Sequence, residues 1–583
     1  MHPVNRNNWK AQLIAMAVVI AVSLAILLAL IAKGQWFYGA QAYRYHYLLG
    51  SFREAVDAGI GYPRWLPDLM GGYGYPTFVY YQPGFFFLAL PFTYLFSDLV
   101  HALTAALLFM LALGGMGMYM AARQFTHATG AICCAVLFLL TPYIPFMLYA
   151  RGSLSELLGV LLCPWLFHFM LRLQQQWPLR QVTWHSCIGF SLSGAALLYS
   201  HPMVAAYALM AIAALLLLVR QCRNRGFLGL VGCCGLLALA LSGAYWIPVL
   251  QLYDAASWGR AHRIVTMDWP QLLFLGSGHL AFAVFLLLRF RNDRLMQALA
   301  VVITLLLLLL SPAGQGLWGH ALVAHYTAML QMTYRVLGVL SVLLLLMVAR
   351  GMTYFAEPSR IVFWTLTALL LSYGTANRAA DFYQRHWPSH LFSYSRALSL
   401  FAPAPMHDRH RLPKGWKHKT WFEDSARYRE KIQSGISNMT HTGEFFPKGA
   451  KVPRSSRFRD NIPYARGDFL SLGSSGIAPY RLSMELDIPD ATAPGPLVIH
   501  QYRFPGWQVK VDGVDLPPEA LHQTKEGFIA VDIAASGKHT VAAWYDGPPG
   551  WRMRNLCMAL AAMVALAGMR YILRGNKRQG HVW

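Results

Sequence analysis

The run Gly61–Pro76 combines a cation, a carboxylate and several tyrosines in a stretch too rich in Pro and Gly to be a helix in lipid. Arg64 could pair with an anion, and Asp68 could accept a proton. Tyr73 and Tyr75 offer flat faces for a sugar ring. Asp68 would serve equally well as a turn-capping residue, and the tyrosines as an interfacial aromatic belt. Irregular backbone beside a bilayer survives only where protein or water satisfies it, so this loop is a candidate functional site.

A second segment, Tyr149–Glu156, places an arginine five residues before a glutamate. Arg151 precedes an apolar helix pattern, where a guanidinium makes a good partner for phosphate oxygens. Glu156, so close in sequence, would suit base-assisted or metal-assisted group transfer. The spacing of Ser153 and Glu156 is also that of a capping box, so a structural use stays open.

Two further residues lie at the same expected edge of the membrane. His201, in Tyr-Ser-His-Pro, falls where two apolar segments meet, and Arg335 begins another apolar segment. A single histidine at such a place is usually structural. The positive-inside rule disfavours arginines at the outer rim. Their presence there therefore favours a functional role for them, as a site for an anionic lipid. We expect Arg64, Arg151 and Arg335 to line one water-filled pocket.

The segment 43–57 has the pattern of an amphipathic helix. His46, Glu54 and Asp57 fall within one arc of roughly 80°, so one face could present an imidazole and two carboxylates. A solvated polar face on an interfacial helix explains the same spacing. Asp57 is therefore a third candidate base.

Composition identifies the class of protein. Of 583 residues, 56% are hydrophobic and only 13% are charged, with a mean hydropathy of +0.38, whereas soluble proteins carry about 25% charged residues. Apolar runs long enough to cross a bilayer recur and predict an α-helical polytopic membrane protein with about twelve transmembrane helices. The predicted spans are 11–32, 99–121, 127–146, 154–173, 186–200, 203–220, 226–249, 271–288, 295–311, 335–350, 360–376 and 553–573.

The placement of positive charge predicts the orientation in the membrane. The formal net charge is +23, and arginines cluster in alternate short loops, as at Arg223 and Arg225, which the rule assigns to the cytoplasm. Both termini are then cytoplasmic, and the loop 33–98 is outside. The apolar run within Met1–Lys33 is too long for a secretory signal core and predicts an uncleaved anchor. We expect a multi-pass protein of the cytoplasmic (inner) membrane.

From 377 to 552 the pattern changes to short alternating strands separated by Pro, Gly and Asp turns. A basic loop-like stretch comes first, and the strands that follow predict a β-sandwich at about 466–548. Val511–Val514, with Asp-Gly at its centre, has the sequence of a hairpin turn. We therefore divide the chain into a transmembrane bundle, 1–376, an extracytoplasmic (periplasmic) domain, 377–552, and a last helix with a cytoplasmic tail, 553–583.

Several functional classes are disfavoured by what the sequence lacks. Its eight cysteines form no C-x-x-C zinc pattern, and the P-loop and Rossmann fingerprints are absent. The spans are nearly free of charge at their centres, unlike those of transporters. A basic stretch at 407–419 lies in an outer loop, which favours anionic lipid or polysaccharide over nucleic acid. No cofactor and no metal ligands are assigned, although the need for a divalent metal stays open.

Together these segments resemble the GT-C class of membrane glycosyltransferases, and more closely the pyruvoyl-tetrahydropterin-synthase-related, YfhO-like branch of membrane proteins. The residues that carry the resemblance are Tyr62–Asp68, Gly71–Pro76, Tyr149–Glu156, Ser200–His201, Gln331 with Arg335, Phe504–Trp507 and Val511–Gly513. The resemblance implies a GT-C-like bundle whose long first outer loop carries a carboxylate. It also implies a polyprenyl-phosphate-sugar donor and transfer on the outer face.

One position departs from the pattern of the resembling proteins. They carry an Asp shortly after the first span, where this chain has Gln41. An amide can neither deprotonate an acceptor hydroxyl nor bind a metal strongly. Either Asp57, Asp68 or Glu156 is the catalytic base, or this chain has lost catalysis.

We therefore predict a membrane glycosyltransferase that moves a sugar from a polyprenyl-phosphate donor to an envelope glycan, lipid or protein acceptor. Arg64, Arg151 and Arg335 would neutralise charge on the phosphate as the sugar leaves. The other expected substrate contacts are His201, Tyr73, Tyr75 and Gln41. The expected partners are the lipid-linked sugar, membrane lipids and the acceptor, without nucleic acid. The alternative is a catalytically inactive GT-C-like scaffold or lipid-binding protein in envelope polysaccharide assembly.

Overall fold

The structure is a computed structural model, and it describes most of the bundle and of the late β-domain. The described residues are 9–33, 36–37, 42–66, 74–141, 143–219, 223–258, 284, 288, 292–314, 316, 335–352, 422–423, 444–450, 464–465, 481–488, 495–533 and 536–578. Asp68, Tyr73 and Gln41 lie outside them. The predicted span 360–376 lies entirely outside the described residues, and 271–288 lies outside them except for positions 284 and 288.

The described part of the chain is mostly helical. Its α-helices are α1 (Trp9–Lys33), α2 (Ala42–Asp57), α3 (Thr77–Tyr80), α4 (Gly84–Leu95), α5 (Leu99–Ala122), α6 (Ala128–Leu140), α7 (Tyr143–Pro145), α8 (Leu154–Gln176), α9 (Trp184–Ser200), α10 (Pro202–Leu218), α11 (Arg225–Gln251), α12 (Arg294–Leu310), α13 (Val336–Gly351) and α14 (Trp551–Arg578). Among the described residues, six helical stretches are long and apolar enough to cross a membrane, and four shorter helices are also apolar. The prediction of a polytopic helical membrane protein is confirmed.

The helix bounds follow the predicted spans closely because long apolar runs leave little freedom of assignment. Helix α5 corresponds to the predicted span 99–121, and α11 corresponds to 226–249. The bounds agree within two residues in both cases. The predicted amphipathic helix 43–57 is α2. Its His46 is fully buried, whereas Glu54 and Asp57 are exposed, so these three side chains do not line one pocket.

Helix α8 forms the centre of the bundle, because it is buried along nearly its whole length. Gly114 of α5 lets the two helices approach closely: a Cβ atom there would lie 2.4 Å from Cδ2 of Leu161. Small residues at helix contacts of this kind are typical of membrane bundles. Trp165 of α8 also donates a hydrogen bond from Nε1 to the Leu113 carbonyl oxygen, at 2.9 Å.

This contact gives a first testable expectation. Gly114→Ala should lower the free energy of unfolding by about 1–3 kcal/mol, because the added methyl group overpacks the contact with Leu161. Gly235→Ala on α11 is the matched control, since a Cβ atom there meets nothing within 4 Å. Unfolding of both variants in mixed micelles, titrated with SDS, measures the difference. Equal stability of the two variants would contradict the close approach of α5 and α8.

The late β-domain consists of two antiparallel four-stranded sheets, ordered β10-β11-β7-β5 and β6-β12-β8-β9. The strands are β5 (Tyr464–Ala465), β6 (Arg481–Ile488), β7 (Gly495–Tyr502), β8 (Trp507–Val511), β9 (Val514–Asp515), β10 (Leu521–Gln523), β11 (Phe528–Ile533) and β12 (Gly537–Tyr545). The predicted hairpin turn is confirmed: Val511 pairs with Val514, and Asp512 and Gly513 both have positive φ, as a two-residue turn requires.

Strand pairs also join the segments before this domain to loops of the bundle. Strand β1 (Trp36–Phe37) pairs with β3 (Phe422–Glu423), and β2 (Ala256–Trp258) pairs with β4 (Glu444–Pro447). The side chains of the junction form a second hydrophobic core that mixes residues from the first loop and α11 with residues of the β-domain. The β-domain therefore rests on one end of the bundle, which we call the β-domain end.

Candidate functional site

Glu156, in the first turn of α8, is fully buried and lies at the centre of an ion-pair cluster. Its Oε2 atom lies 3.2 Å from Arg151 Nη1 and 3.2 Å from Arg335 Nε. His201 Nε2 lies 3.7 Å from the same oxygen. Tyr143 donates its hydroxyl hydrogen to Oε1 at 2.8 Å. We call Glu156, Arg151, Arg335 and His201 the Glu156 cluster.

Three local features position these side chains. The π-helical turn Phe146–Arg151 ends at Gly152, with φ +64°, and brings Arg151 back over the start of α8. Turns of this kind occur often at functional sites. Arg335 is the residue immediately before α13. His201 separates α9 from α10, and its Nδ1 accepts from Val204 N–H at 3.4 Å, so that Nε2 faces Glu156.

Within the four side chains of the Glu156 cluster, the two arginines outnumber the one carboxylate. Burial lowers the pKa of His201, which lies between two helices, to about 3, although Glu156 opposes this effect. The imidazole is therefore neutral, and two guanidinium groups face one carboxylate. Guanidinium groups gathered at one place are suitable partners for an anionic ligand. A carboxylate held by two arginines is a weak base, so Glu156 is better suited to orient Arg151 and Arg335 than to accept a proton.

The capping-box interpretation is not supported by the geometry. Ser153 precedes α8, but its side chain makes no capping hydrogen bond. Glu156 points instead to Arg151, Arg335 and Tyr143. Glu156 therefore links parts of the chain that are distant in sequence and does not cap the start of α8.

Sequence reasoning missed several polar neighbours of the cluster. Tyr45 accepts the backbone N–H of Ser155 at 3.0 Å and shares a 2.7 Å hydrogen bond with the hydroxyl of Tyr81. The hydroxyls of Ser155 and Tyr207 are buried and have no hydrogen-bond partner among the described residues. Tyr207 lies within electrostatic reach of Arg335 and Glu156. No spacing rule marks these residues, because each lies in an otherwise ordinary aromatic or apolar run.

The remaining described candidates lie elsewhere. Asp57 is exposed, accepts from Tyr94 at 2.7 Å and pairs with Arg53 at 3.5 Å. Tyr75 is buried in the junction with the β-domain and pairs through its backbone with Leu66. Arg64 also lies at this junction and does not join Arg151 and Arg335. Of the three arginines expected to share a pocket, two converge and one stands apart.

The donor set of the cluster also bears on metal binding. Within the part of the chain that the structure describes, no group of three His, Cys, Asp or Glu residues could hold a metal ion. The Glu156 carboxylate already faces two cations, an arrangement that competes with a divalent metal. The described side chains of the cluster support electrostatic chemistry: they can bind an anion and stabilise negative charge that develops on it.

Two solved structures of a mycobacterial membrane enzyme are similar to part of this chain. The structure is similar to the cryo-EM structure of the arabinofuranosyltransferase AftD from mycobacteria, with 17% sequence identity and a TM-score of 0.45, over 66% of this chain and 29% of that chain. It is also similar to a mutant of that enzyme, with 16% identity and a TM-score of 0.44, over 66% and 30% of the two chains. The chain thus spans less than a third of the length of these proteins. No curated protein matches it.

The family model named 6-pyruvoyl-tetrahydropterin synthase related domain, which describes a membrane protein, matches residues 78–376. The match covers more than half of the chain and includes all four members of the Glu156 cluster: Arg151 and Glu156 at the start of α8, His201 between α9 and α10, and Arg335 just before α13. The sequence-based assignment to this family is confirmed. The chain belongs to the 6-pyruvoyl-tetrahydropterin-synthase-related family of membrane proteins.

Proposed function

We propose that this protein is a GT-C-class glycosyltransferase that moves a sugar from a polyprenyl-phosphate donor to an envelope glycan, lipid or protein acceptor. Transfer would occur at the outer face of the cytoplasmic membrane, where the positive-inside rule puts the β-domain end. The observation that carries the proposal is the convergence of Arg151, Arg335 and His201 on Glu156. These residues come from three separate parts of the chain, and they bring two guanidinium groups together, an arrangement that suits a phosphate.

In the proposed reaction, the bond between the sugar C1 and the phosphate oxygen breaks, and its electron pair goes to the phosphate. Arg151 and Arg335 neutralise this charge, which is the main electrostatic contribution to such transfers. The acceptor hydroxyl oxygen bonds to C1 and gives its proton to a carboxylate. We assign that base to Asp68, because Glu156 is held by two arginines and Asp57 by Arg53 and Tyr94.

The experiment is a transfer assay with the full-length protein in nanodiscs. A panel of polyprenyl-phosphate-linked pentoses and hexoses is supplied with an envelope glycan extract, and release of free polyprenyl phosphate is measured. We expect release from at least one donor, and we expect Arg335→Lys to slow it by about 10²–10³-fold, because Lys loses the forked donor geometry.

Arg350→Lys is the matched control. Arg350 forms a 2.8 Å ion pair with Asp293 where α12 begins and α13 ends, at the opposite end of α13 from Arg335. Its replacement removes a comparable ion-pair geometry and should leave the release rate within a factor of two or so. No release from any donor, or equal slowing in both variants, would remove the support for a transferase.

A non-catalytic scaffold in envelope polysaccharide assembly is the second candidate, and Gln41 favours it. If the chain has lost its base at that position, Gln41→Asp should create or raise the release of polyprenyl phosphate. If Asp68 is the base, Asp68→Asn should abolish release and Gln41→Asp should change it little. A wild-type protein that binds the donor without releasing it, with release gained in Gln41→Asp, would establish the scaffold.

A further inference from the structure

A second cluster of cations and aromatic side chains lies where the first loop, α11, α14 and the β-domain meet. The ring of Trp65 lies 5.8 Å from that of Phe504, 5.2 Å from that of Trp507 and 5.3 Å from that of Tyr545, measured between centroids. The Tyr-Pro-Arg-Trp motif of the first loop therefore packs on the Phe-Pro-Gly-Trp motif of the β-domain. Neither motif contributes to the Glu156 cluster.

Two arginines are fixed at this junction by α11. Arg64 lies over the ring of Tyr62, 4.0 Å from its centroid, and donates from Nη2 to the Ala244 carbonyl oxygen at 3.2 Å. Arg554, in the first turn of α14, donates from Nη1 to Gln251 Oε1 at 2.6 Å. Ala244 and Gln251 are seven positions apart on one helix, so the two anchor points share a face and are separated by about 10 Å along the axis.

Three donor nitrogens of these arginines are buried and unused among the described residues. Arg64 Nε, and Nε and Nη2 of Arg554, have no hydrogen-bond partner among the described residues. The side chain of Arg554 belongs to a residue only 7% exposed. No carboxylate in the described part of the chain pairs with either arginine. A buried cation without a counter-charge is costly, which indicates that an anion completes this arrangement.

Neutral donors lie at the same junction. The Trp507 Nε1–H and the Tyr545 hydroxyl are buried and lack partners in the described structure. Burial raises the pKa of Tyr545, while the charges of Arg64 and Arg554 oppose that rise, so both guanidinium groups lie within electrostatic reach of its ring. The junction therefore offers several buried N–H and O–H donors together with two positive charges.

We propose that Arg64, Arg554, Tyr545 and Trp507 bind a phosphate group at the junction of the β-domain and the bundle. Several oxygens on one anion match several convergent donors, and the forked guanidinium suits phosphate particularly well. Because α11 ends and α14 begins here, the headgroup of a membrane phospholipid can reach the site. A soluble phosphate ester would offer the same chemistry. This site is separate from the Glu156 cluster, so its test is binding and not turnover.

The test uses the purified full-length protein in an uncharged detergent and native mass spectrometry with dioleoylphosphatidylglycerol. Dioleoylglycerol, which lacks the phosphate, is the reference lipid. We expect one tightly retained phosphatidylglycerol, and at least a tenfold weaker affinity in Arg554→Gln and in Arg64→Gln, because each loses charge-assisted hydrogen bonds. Arg552→Gln is the matched control: Arg552 lies two residues from Arg554, is exposed and contacts the ring of Trp551.

Glycerol 1-phosphate, added at millimolar concentration, separates the two sources of phosphate. Displacement of the lipid shows that the phosphate group alone suffices, and retention shows that the site requires a lipid-anchored headgroup; either result supports the proposal. Should Arg554→Gln fail to fold, Arg64→Gln and Arg554→Lys supply the comparison. The proposal is overturned if these variants retain phosphatidylglycerol as wild type does, if Arg552→Gln loses it equally, or if dioleoylglycerol binds as tightly.

Discussion

Glu156→Ala should lower the free energy of unfolding by about 3–5 kcal/mol, because it leaves the buried charges of Arg151 and Arg335 without their carboxylate. Glu156→Gln keeps the size of the side chain but removes the same charge, so most of the loss should remain. Unfolding in mixed micelles, titrated with SDS, gives the stability of each variant. The release of polyprenyl phosphate should be lost in both variants, since the two arginines lose the group that orients them.

A double-mutant cycle separates this ion-pair effect from simple loss of packing. Arg335→Met in the Glu156→Gln background should recover part of the stability, because it removes one of the two uncompensated cations. Asp293→Asn is the control for an ion pair outside the cluster, since Asp293 pairs with Arg350, whose side chain is 19% exposed. It should cost less stability and leave release unchanged. Purely additive effects of the Glu156 and Arg335 substitutions would contradict the coupling that the cluster implies.

Gly74→Ala should also be strongly destabilising, by about 2–4 kcal/mol, for two combined reasons. Gly74 has φ +76°, and a Cβ atom there would lie 2.3 Å from Gln501 Oε1 and 2.4 Å from the ring of Trp65. The methyl group would therefore break the 3.0 Å hydrogen bond from Trp65 Nε1 to Gln501 and push Trp65 out of the junction. Hydrogen exchange of residues 62–66 and 495–502 should rise together.

Gly59→Ala isolates the collision from the backbone strain. Gly59 has a similar positive φ, +89°, but a Cβ atom there meets nothing within 4 Å. This variant should therefore cost only about 1–2 kcal/mol, the strain of a non-glycine residue in the left-handed region. Hydrogen exchange in the β-domain should not change. Equal loss of stability in the two variants would contradict the close packing of Gly74 against Gln501 and Trp65.

The sequence indicates which residues form the Glu156 cluster far better than it indicates how they are arranged. Arg151, Glu156, His201 and Arg335 stand out because each is a polar residue at the end of an apolar run. That they meet on one carboxylate depends on how α8, α9 and α13 pack, and Glu156 and Arg335 are 179 positions apart. No local pattern carries that information, since helix packing is decided by side-chain shape over whole helix faces.

For Arg64, the sequence suggested different neighbours from those that the structure shows. Its charge and its place in the first loop group it with the other outer arginines, yet the structure puts it beside α11 and the β-domain. The cause is its neighbour Trp65, which is held by Gln501, 436 positions later. The strands of the β-domain and its Asp-Gly turn were predictable because they follow local alternation and turn chemistry. The surface on which this domain rests was not.

The pairing of β1 with β3 has a consequence for biosynthesis. Strand β1 emerges from the ribosome with the first loop, but its partner, Phe422–Glu423, is translated only after most of the membrane helices. At about 5–20 residues per second, β1 waits on the order of 20–80 s for that partner. Trp36 and Phe37 can form this strand pair only when the last third of the chain has been made, so the contact between the first loop and the late segments is completed at the end of synthesis.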